Sequence, residues 1–349
     1  MSDDPTPADA PADAPDDTVD EAATAGAAPA DEPVIVVTEA PVISRDELAR
    51  VLAGVPEEPG VPKPEPILVV DGVTRRFGGL TAVHVHHLEV ERGAVTALIG
   101  PNGAGKTTFF NLITGFDKAN GGHWSFDGLP LQGVPAHRIA RRGIVRTFQL
   151  TKALARISVI DNMKLGATNQ LGEHFLPAFL RPAWAAQERE VEARADVLLD
   201  RFNLTRVRDD FAGELSGGQR KLLEMARALM SQPSFLLLDE PMAGVNPALA
   251  ETIVGHMRTL RDEGMTILFV EHDMDVVRSI SDWVVVMSEG ELIAEGRHSS
   301  IVTNPMVIDA YLGAHHGTPL DRAEQDRQLA EAEAAILAAE ADAVEGESS

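Results

Sequence analysis

Three short stretches carry the residues best suited to chemistry. The first, GPNGAGKTT, runs from Gly100 to Thr108 and fits the pattern GxxxxGK[ST]. Gly100, Gly103 and Gly105 allow a loop whose backbone N–H groups point inward at phosphate. Pro101, Asn102 and Ala104 belong to the same loop. Lys106 can reach the β- and γ-phosphates of a nucleotide, and the Thr107 hydroxyl can ligate Mg²⁺. Thr108 follows into a helix whose N-terminus adds partial positive charge. The second stretch, FLLLDE (Phe235 to Glu240), is an apolar strand ending in two acids. Asp239 at the strand end suits Mg²⁺ or its water shell. Glu240 suits the polarisation of a water aimed at the γ-phosphate. The third stretch, LSGGQ (Leu215 to Gln219), opens another helix. There Ser216, Gly217, Gly218 and Gln219 offer a second helix end able to meet an anion. One ATP needs only one phosphate loop. A second phosphate-binding helix end therefore implies a nucleotide held between two copies of the domain.

The elements that must position these groups are legible in outline. The phosphate loop follows an apolar run, Val95 to Ile99, as the motif requires. Further strands are expected at 67–72, 85–90, 123–127, 144–148, 235–239, 266–270, 283–287 and 291–295. Runs such as 235–239 and 266–270, flanked by helical patterns, read as buried parallel strands. Helices are expected at 217–231 and 247–263. The second has Asn246 as N-cap, Pro247 at its first position and Gly264 at its end. Residues 150–214 read as mostly helical, which points to a helical insert in an α/β domain.

Charge separates the ends from the middle. The chain of 349 residues carries a formal charge of −24. Residues 1–62 hold 15 acidic against 2 basic groups, and residues 314–349 hold 9 against 2. The segment between them is close to neutral. The Ala/Pro/Asp-rich start and the Ala/Glu-rich end therefore read as acidic tails, mostly disordered, with a possible helix in 319–345. Acidic tails argue against nucleic acid as a partner. One stretch stands out: Ser44 and Glu47 fit a capping box, and Leu48, Val51 and Leu52 share one face of a helix expected at 45–53. No partner for that face is evident inside the chain. The absence of cysteine excludes disulfides. No run of 18 or more apolar residues occurs, so no segment reads as membrane-spanning.

With these motifs in this order, residues from about 67 to 313 resemble the ATP-binding subunits of ABC transporters. The resemblance implies further assignments. Gln149, in RTFQ, falls at the glutamine that contacts Mg²⁺ and water at the joint of the helical insert. His272, in VEHDM, falls at the switch histidine that contacts the γ-phosphate. Ala243 to Asn246 falls at the D-loop, and Phe77 at the aromatic that stacks on adenine. The implied fold is a P-loop NTPase of α/β class, the ABC cassette. It has a RecA-like parallel sheet core, an antiparallel β subdomain and a helical insert at about 150–230, within a cassette spanning 63–313. Implied partners are permease subunits, a second ATP-binding subunit and, indirectly, a solute-binding protein. Implied location is the cytoplasmic face of the cell membrane, held there peripherally through the permease.

Within that family, RTFQ, AGELSGGQRKLLEMARALM, AGVNP, EHDMDVV and NPMVIDAYLG look like the ATPases of branched-chain amino acid importers. Urea and amide importers share much of the pattern, and the lipopolysaccharide-export ATPase is related. A soluble ABC ATPase of translation or repair is the rival of a different class. His84, His86 and His87 crowd one strand-like segment, and His86 falls where the family usually has an apolar residue; His84 and His86 are the pair of interest. They share a strand face and can in principle bind metal, but no third ligand is evident.

Overall fold

The hydrophobic pattern of the chain builds two sheets and divides its interior in two. The computed structural model describes residues 44–147, 155–168 and 181–313. All of them belong to one compact unit within 41–349. Residues 1–43 and 314–349, where the tails were placed, lie outside the described residues, as do Ile43 and Gln149.

The first sheet is antiparallel, with strand order β2-β1-β4-β5. It comprises β1 (Pro66–Phe77), β2 (Leu80–Glu91), β4 (Gly121–Phe126) and β5 (Leu129–Pro130). β1 and β2 form a hairpin, with Phe77 opposite Leu80. Between them Gly78 adopts φ 59°, the left-handed conformation that a two-residue hairpin turn asks of a glycine. Both strands run well beyond the expected 67–72 and 85–90. The cause is a change of buried face. Val70 lies opposite Leu88 and Val73 opposite Val85, and all four are buried. Positions three apart point to opposite sides of a sheet, so the hairpin buries one face in its first half and the other in its second. The period-2 alternation that marks a strand is thereby broken.

The second sheet has order β10-β9-β3-β8-β7-β6. Its strands are β3 (Val95–Ile99), β6 (Ile144–Arg146), β7 (Phe235–Asp239), β8 (Thr266–Val270), β9 (Trp283–Ser288) and β10 (Glu291–Gly296). All neighbours are parallel except β9 and β10. Every residue of β3, β7 and β8 is buried, as continuous apolar runs predict for strands covered on both faces.

This sheet separates two cores with a period of two. On one side Leu236, Leu238, Ile267 and Phe269 pack with the helical insert. On the other Phe235, Leu237, Leu268 and Val270 pack with the antiparallel sheet.

Helices fill both layers. They are α1 (Arg45–Ala53), α2 (Lys106–Ile113), α3 (Ala136–Arg141), α4 (Val159–Lys164), α5 (Arg181–Arg201), α6 (Gly217–Leu229), α7 (Pro247–Asp262), α8 (Met274–Ile280), α9 (His298–Ile301) and α10 (Pro305–Gly313). The described part of the insert holds helices and turns, with a single bridge between Ser158 and Phe211. Asn246 caps α7 by accepting from the Leu249 N–H at 2.9 Å, with Pro247 next.

The apolar face expected at 45–53 finds its partner within the chain. The Ser44 hydroxyl caps α1 through the Glu47 N–H, and Leu48 and Leu52 are both only 2% exposed. They join Val55 in the core that the antiparallel sheet shares with Trp283. Beyond the helix, the Lys63 ammonium meets the Glu295 carboxylate at 2.7 Å, with both side chains buried. The Val61 N–H donates to the same carboxylate. Residues 44–62 thus pack on the cassette, because their few apolar side chains find a distant core. No helix among the described residues is long and apolar enough to cross a membrane.

Candidate active site

The strand order brings the separate motifs to one edge. β3, β8, β7 and β6 are adjacent and parallel. Their carboxyl ends deliver, in that order, the phosphate loop, His272, the Asp239–Glu240 pair and Arg146. Ligands of open α/β sheets bind at this edge.

The phosphate loop has the backbone its glycines were chosen to permit. Gly100, Gly103 and Gly105 adopt φ 146°, 82° and 98°. A Cβ on Gly100 would lie 1.9 Å from the Met287 carbonyl oxygen, and one on Gly105 2.3 Å from that of Ala82. Any side chain at either position is therefore excluded by backbone as well as by φ. α2 starts without a side-chain cap, which leaves its first N–H groups for a ligand. Lys106 is buried, and its ammonium donates to the Gly100 and Pro101 carbonyls at 2.6 and 3.0 Å. Burial pushes its pKa down, and the nearby Glu240 and Asp239 carboxylates pull it part of the way back. Pro101 and Thr108 are partly exposed, and Asn102, Gly103 and Thr107 are exposed. Phe77 is 48% exposed at the hairpin that also carries Ala82. The Arg75 guanidinium covers its ring at 4.4 Å, while Asp117 holds that arginine.

Asp239 is buried at the end of β7. One carboxylate oxygen, Oδ2, accepts from Arg146 at 2.6 Å. The other, Oδ1, is buried with no hydrogen-bond partner. An orphaned carboxylate oxygen beside a threonine-led phosphate loop is an all-oxygen donor set, which fits a hard cation such as Mg²⁺. Glu240 follows at φ 48°, a conformation that costs a non-glycine residue on the order of 1 kcal/mol. Its Oε1 lies 3.1 Å from His272 Nε2. The Glu240 carboxylate and the His272 ring are therefore already in contact.

Two residues at this edge were not singled out from sequence. Arg146 bridges Asp239 to the Asn111 side-chain oxygen of α2. Glu271 accepts from the Met242 N–H at 2.8 Å and from the His272 N–H at 3.2 Å. It ties the turn after Glu240 to the histidine, and burial pushes its carboxyl pKa up. Each lies inside a quoted motif, Arg146 in RTFQ and Glu271 in VEHDM, where the reading fell on a different residue.

The Leu215–Gln219 segment stands apart. Ser216 caps α6 in a reciprocal box with Gln219. Ser216 and Gly217 are exposed, and a Cβ on Gly218 would meet Leu249 at 2.4 Å. Among the described residues no hydrogen bond joins this segment to the phosphate loop. Gln149 lies outside the described residues.

Residues 83–243 match the family model described as "ABC transporter". The chain is 45% identical over 250 residues to the high-affinity branched-chain amino acid transport ATP-binding protein BraF of Pseudomonas aeruginosa, covering 71% of this chain and 98% of that protein. It is 40% identical over 251 residues to LivG of Escherichia coli K12, a protein of the same description, covering 71% and 98%. Among solved structures it resembles a nucleotide-free ATP-binding cassette from an ABC transporter, with TM-score 0.63, 37% identity and coverage of 70% and 98%. The ADP conformation of another such cassette gives 0.62, 36%, 71% and 99%. With its phosphate loop, its paired acids and these relatives, the chain belongs to the ABC transporter ATP-binding family, whose cassettes are nucleotide-binding ATPases.

Proposed function

We propose that this chain is the ATP-hydrolysing subunit of an ABC importer for branched-chain amino acids or a related small solute. Identity of 38–45% to branched-chain amino acid transport ATP-binding proteins over nearly their whole length supports the solute class. The observation that carries the site is the Glu240–His272 contact at the edge where the phosphate loop ends.

In this reading the loop N–H groups and Lys106 hold the nucleotide phosphates, and Phe77 stacks on the base. Lys106 exchanges its two loop carbonyls for the β- and γ-phosphates. Thr107 and Asp239, with Gln149, would hold Mg²⁺, which would supply neutralisation of charge on the transferred phosphoryl group. Glu240 accepts a proton from the attacking water, and His272 holds that carboxylate while contacting the γ-phosphate. The exposed Ser216–Gln219 end completes the site of a second ATP-binding subunit. Closure of the pair drives permease subunits at the inner face of the membrane, to which a solute-binding protein delivers cargo.

The test is Glu240→Gln. The variant should bind MgATP, accumulate as a nucleotide-trapped dimer with the permease, and hydrolyse about 10²–10⁴-fold more slowly. Turnover at the wild-type rate would remove Glu240 from its role.

A further inference from the structure

We propose that His84, His86 and Glu291 form a surface site for a borderline transition-metal dication of the zinc class, separate from the Mg²⁺–nucleotide site.

The third ligand comes from a hairpin far away in sequence. His84 and His86 project from the same outward face of β2, with ring centroids 4.3 Å apart. Glu291 opens β10, and its Oε1 lies 3.1 Å from His84 Nδ1. One ligand atom from each of the three residues falls within a 4.8 Å cluster. Tetrahedral zinc with bonds of about 2.0–2.1 Å places its ligand atoms roughly 3.3 Å apart. The His84–Glu291 pair already has that spacing. His86 is exposed, so rotation of its side chain closes the set.

Two of the three ligands stand on fixed backbone. The His84 N–H donates to the Gly290 carbonyl at 2.6 Å, and the Gly290 N–H donates to the Ala104 carbonyl of the phosphate loop at 3.0 Å. Gly290 adopts φ 85°, and a Cβ there would meet the Ala82 carbonyl oxygen at 2.9 Å. The turn before Glu291 is thus locked against β2.

Donor chemistry sets the ion. Two imidazoles and one carboxylate with a fourth position open to water is a zinc-type set. Mg²⁺ prefers oxygen ligands and octahedral geometry, so it does not compete here. Nickel and copper bind the same donors, copper more tightly.

The test uses the full chain after chelator treatment. Cobalt, added as a visible-absorbing probe, should bind with one equivalent showing tetrahedral bands, and zinc should displace it. His86→Ala and Glu291→Gln, both at exposed positions, should each weaken zinc at least about tenfold, the lower bound seen when a metal site loses a supporting group. Zinc at roughly 100 times Kd should raise the wild-type melting temperature by several degrees. That increment should fall to about half or less in both variants at the same zinc concentration. A control, His123→Ala on β4, should retain it. Zinc affinity unchanged in either ligand variant, loss of the increment in the control, or no binding up to about 1 mM free zinc overturns the site.

Discussion

Replacing Arg146 by methionine should both destabilise the chain and make it depend on Mg²⁺. The Arg146 and Asp239 side chains are 6% and 5% exposed and meet at 2.6 Å. Removing one partner of such a pair costs about 3–5 kcal/mol, because the remaining charge stays buried and uncompensated. The Asn111 oxygen loses its donor in the same step. Against a typical total of about 5–15 kcal/mol the loss is large. At roughly 2–4 °C per kcal/mol for a domain of this size, the melting temperature should fall by about 6–20 °C.

The same substitution leaves Asp239 with neither oxygen paired to the arginine, beside the place where the proposed cation binds. MgATP at about 100 times Kd stabilises the wild type by roughly 2.7 kcal/mol. In the variant the increment should be larger, since the cation also relieves the orphaned carboxylate. ATP in excess chelator should give no such excess. The assay is thermal unfolding with chelator, ATP plus chelator, or MgATP, on wild type, Arg146→Met, Asp239→Asn and the double variant. A strong positive coupling between the two sites completes the argument. A penalty below about 1 kcal/mol, or equal MgATP increments in wild type and Arg146→Met, would refute it.

Two further outcomes are expected. Leu48→Ala combined with Leu52→Ala should cost about 4 kcal/mol or more, since each buried leucine truncation costs about 2–5 kcal/mol; deletion of residues 1–40 should leave the melting temperature unchanged, whereas deletion of 1–55 should lower it. Equal melting temperatures for the two deletions would mean that α1 does not dock. Glu271 has a folded pKa raised by burial above the ordinary 4.5, so its favourable term is fully present below the unfolded value and is lost as pH rises through the folded one. Glu271→Gln should therefore melt progressively closer to, or above, wild type as pH rises from the ordinary 4.5 upward; a difference independent of pH would mean that the carboxyl is not shifted.

What could be read from sequence was whatever is local. The phosphate loop, the strand ending at Asp239 and the capped helices at 217 and 247 carry their signal within a few residues, and each formed where it was expected. The parallel strands were visible as unbroken apolar runs, because both of their faces are covered. The β1–β2 hairpin was seen only in part, since its buried face changes between Val70 and Val73 and no single period describes it. α1 showed an apolar face but not its destination, a core built from the antiparallel sheet and, more than 200 residues on, Trp283.

Arg146 and Glu271 were missed for a different reason: each acquires its role only from strand order. Arg146 reaches Asp239 because β6 lies beside β7, with Arg146 opposite Leu237. His272 reaches Glu240 because β8 separates β7 from β3, with Val270 opposite both Asp239 and Leu98. Chain connectivity rules such as right-handed crossovers limit the possible orders but do not select one. Conversion of four scattered motifs into one catalytic edge is thus a property of the order β3-β8-β7-β6. A substitution that shifts this register would dismantle the site while leaving every motif intact in the sequence.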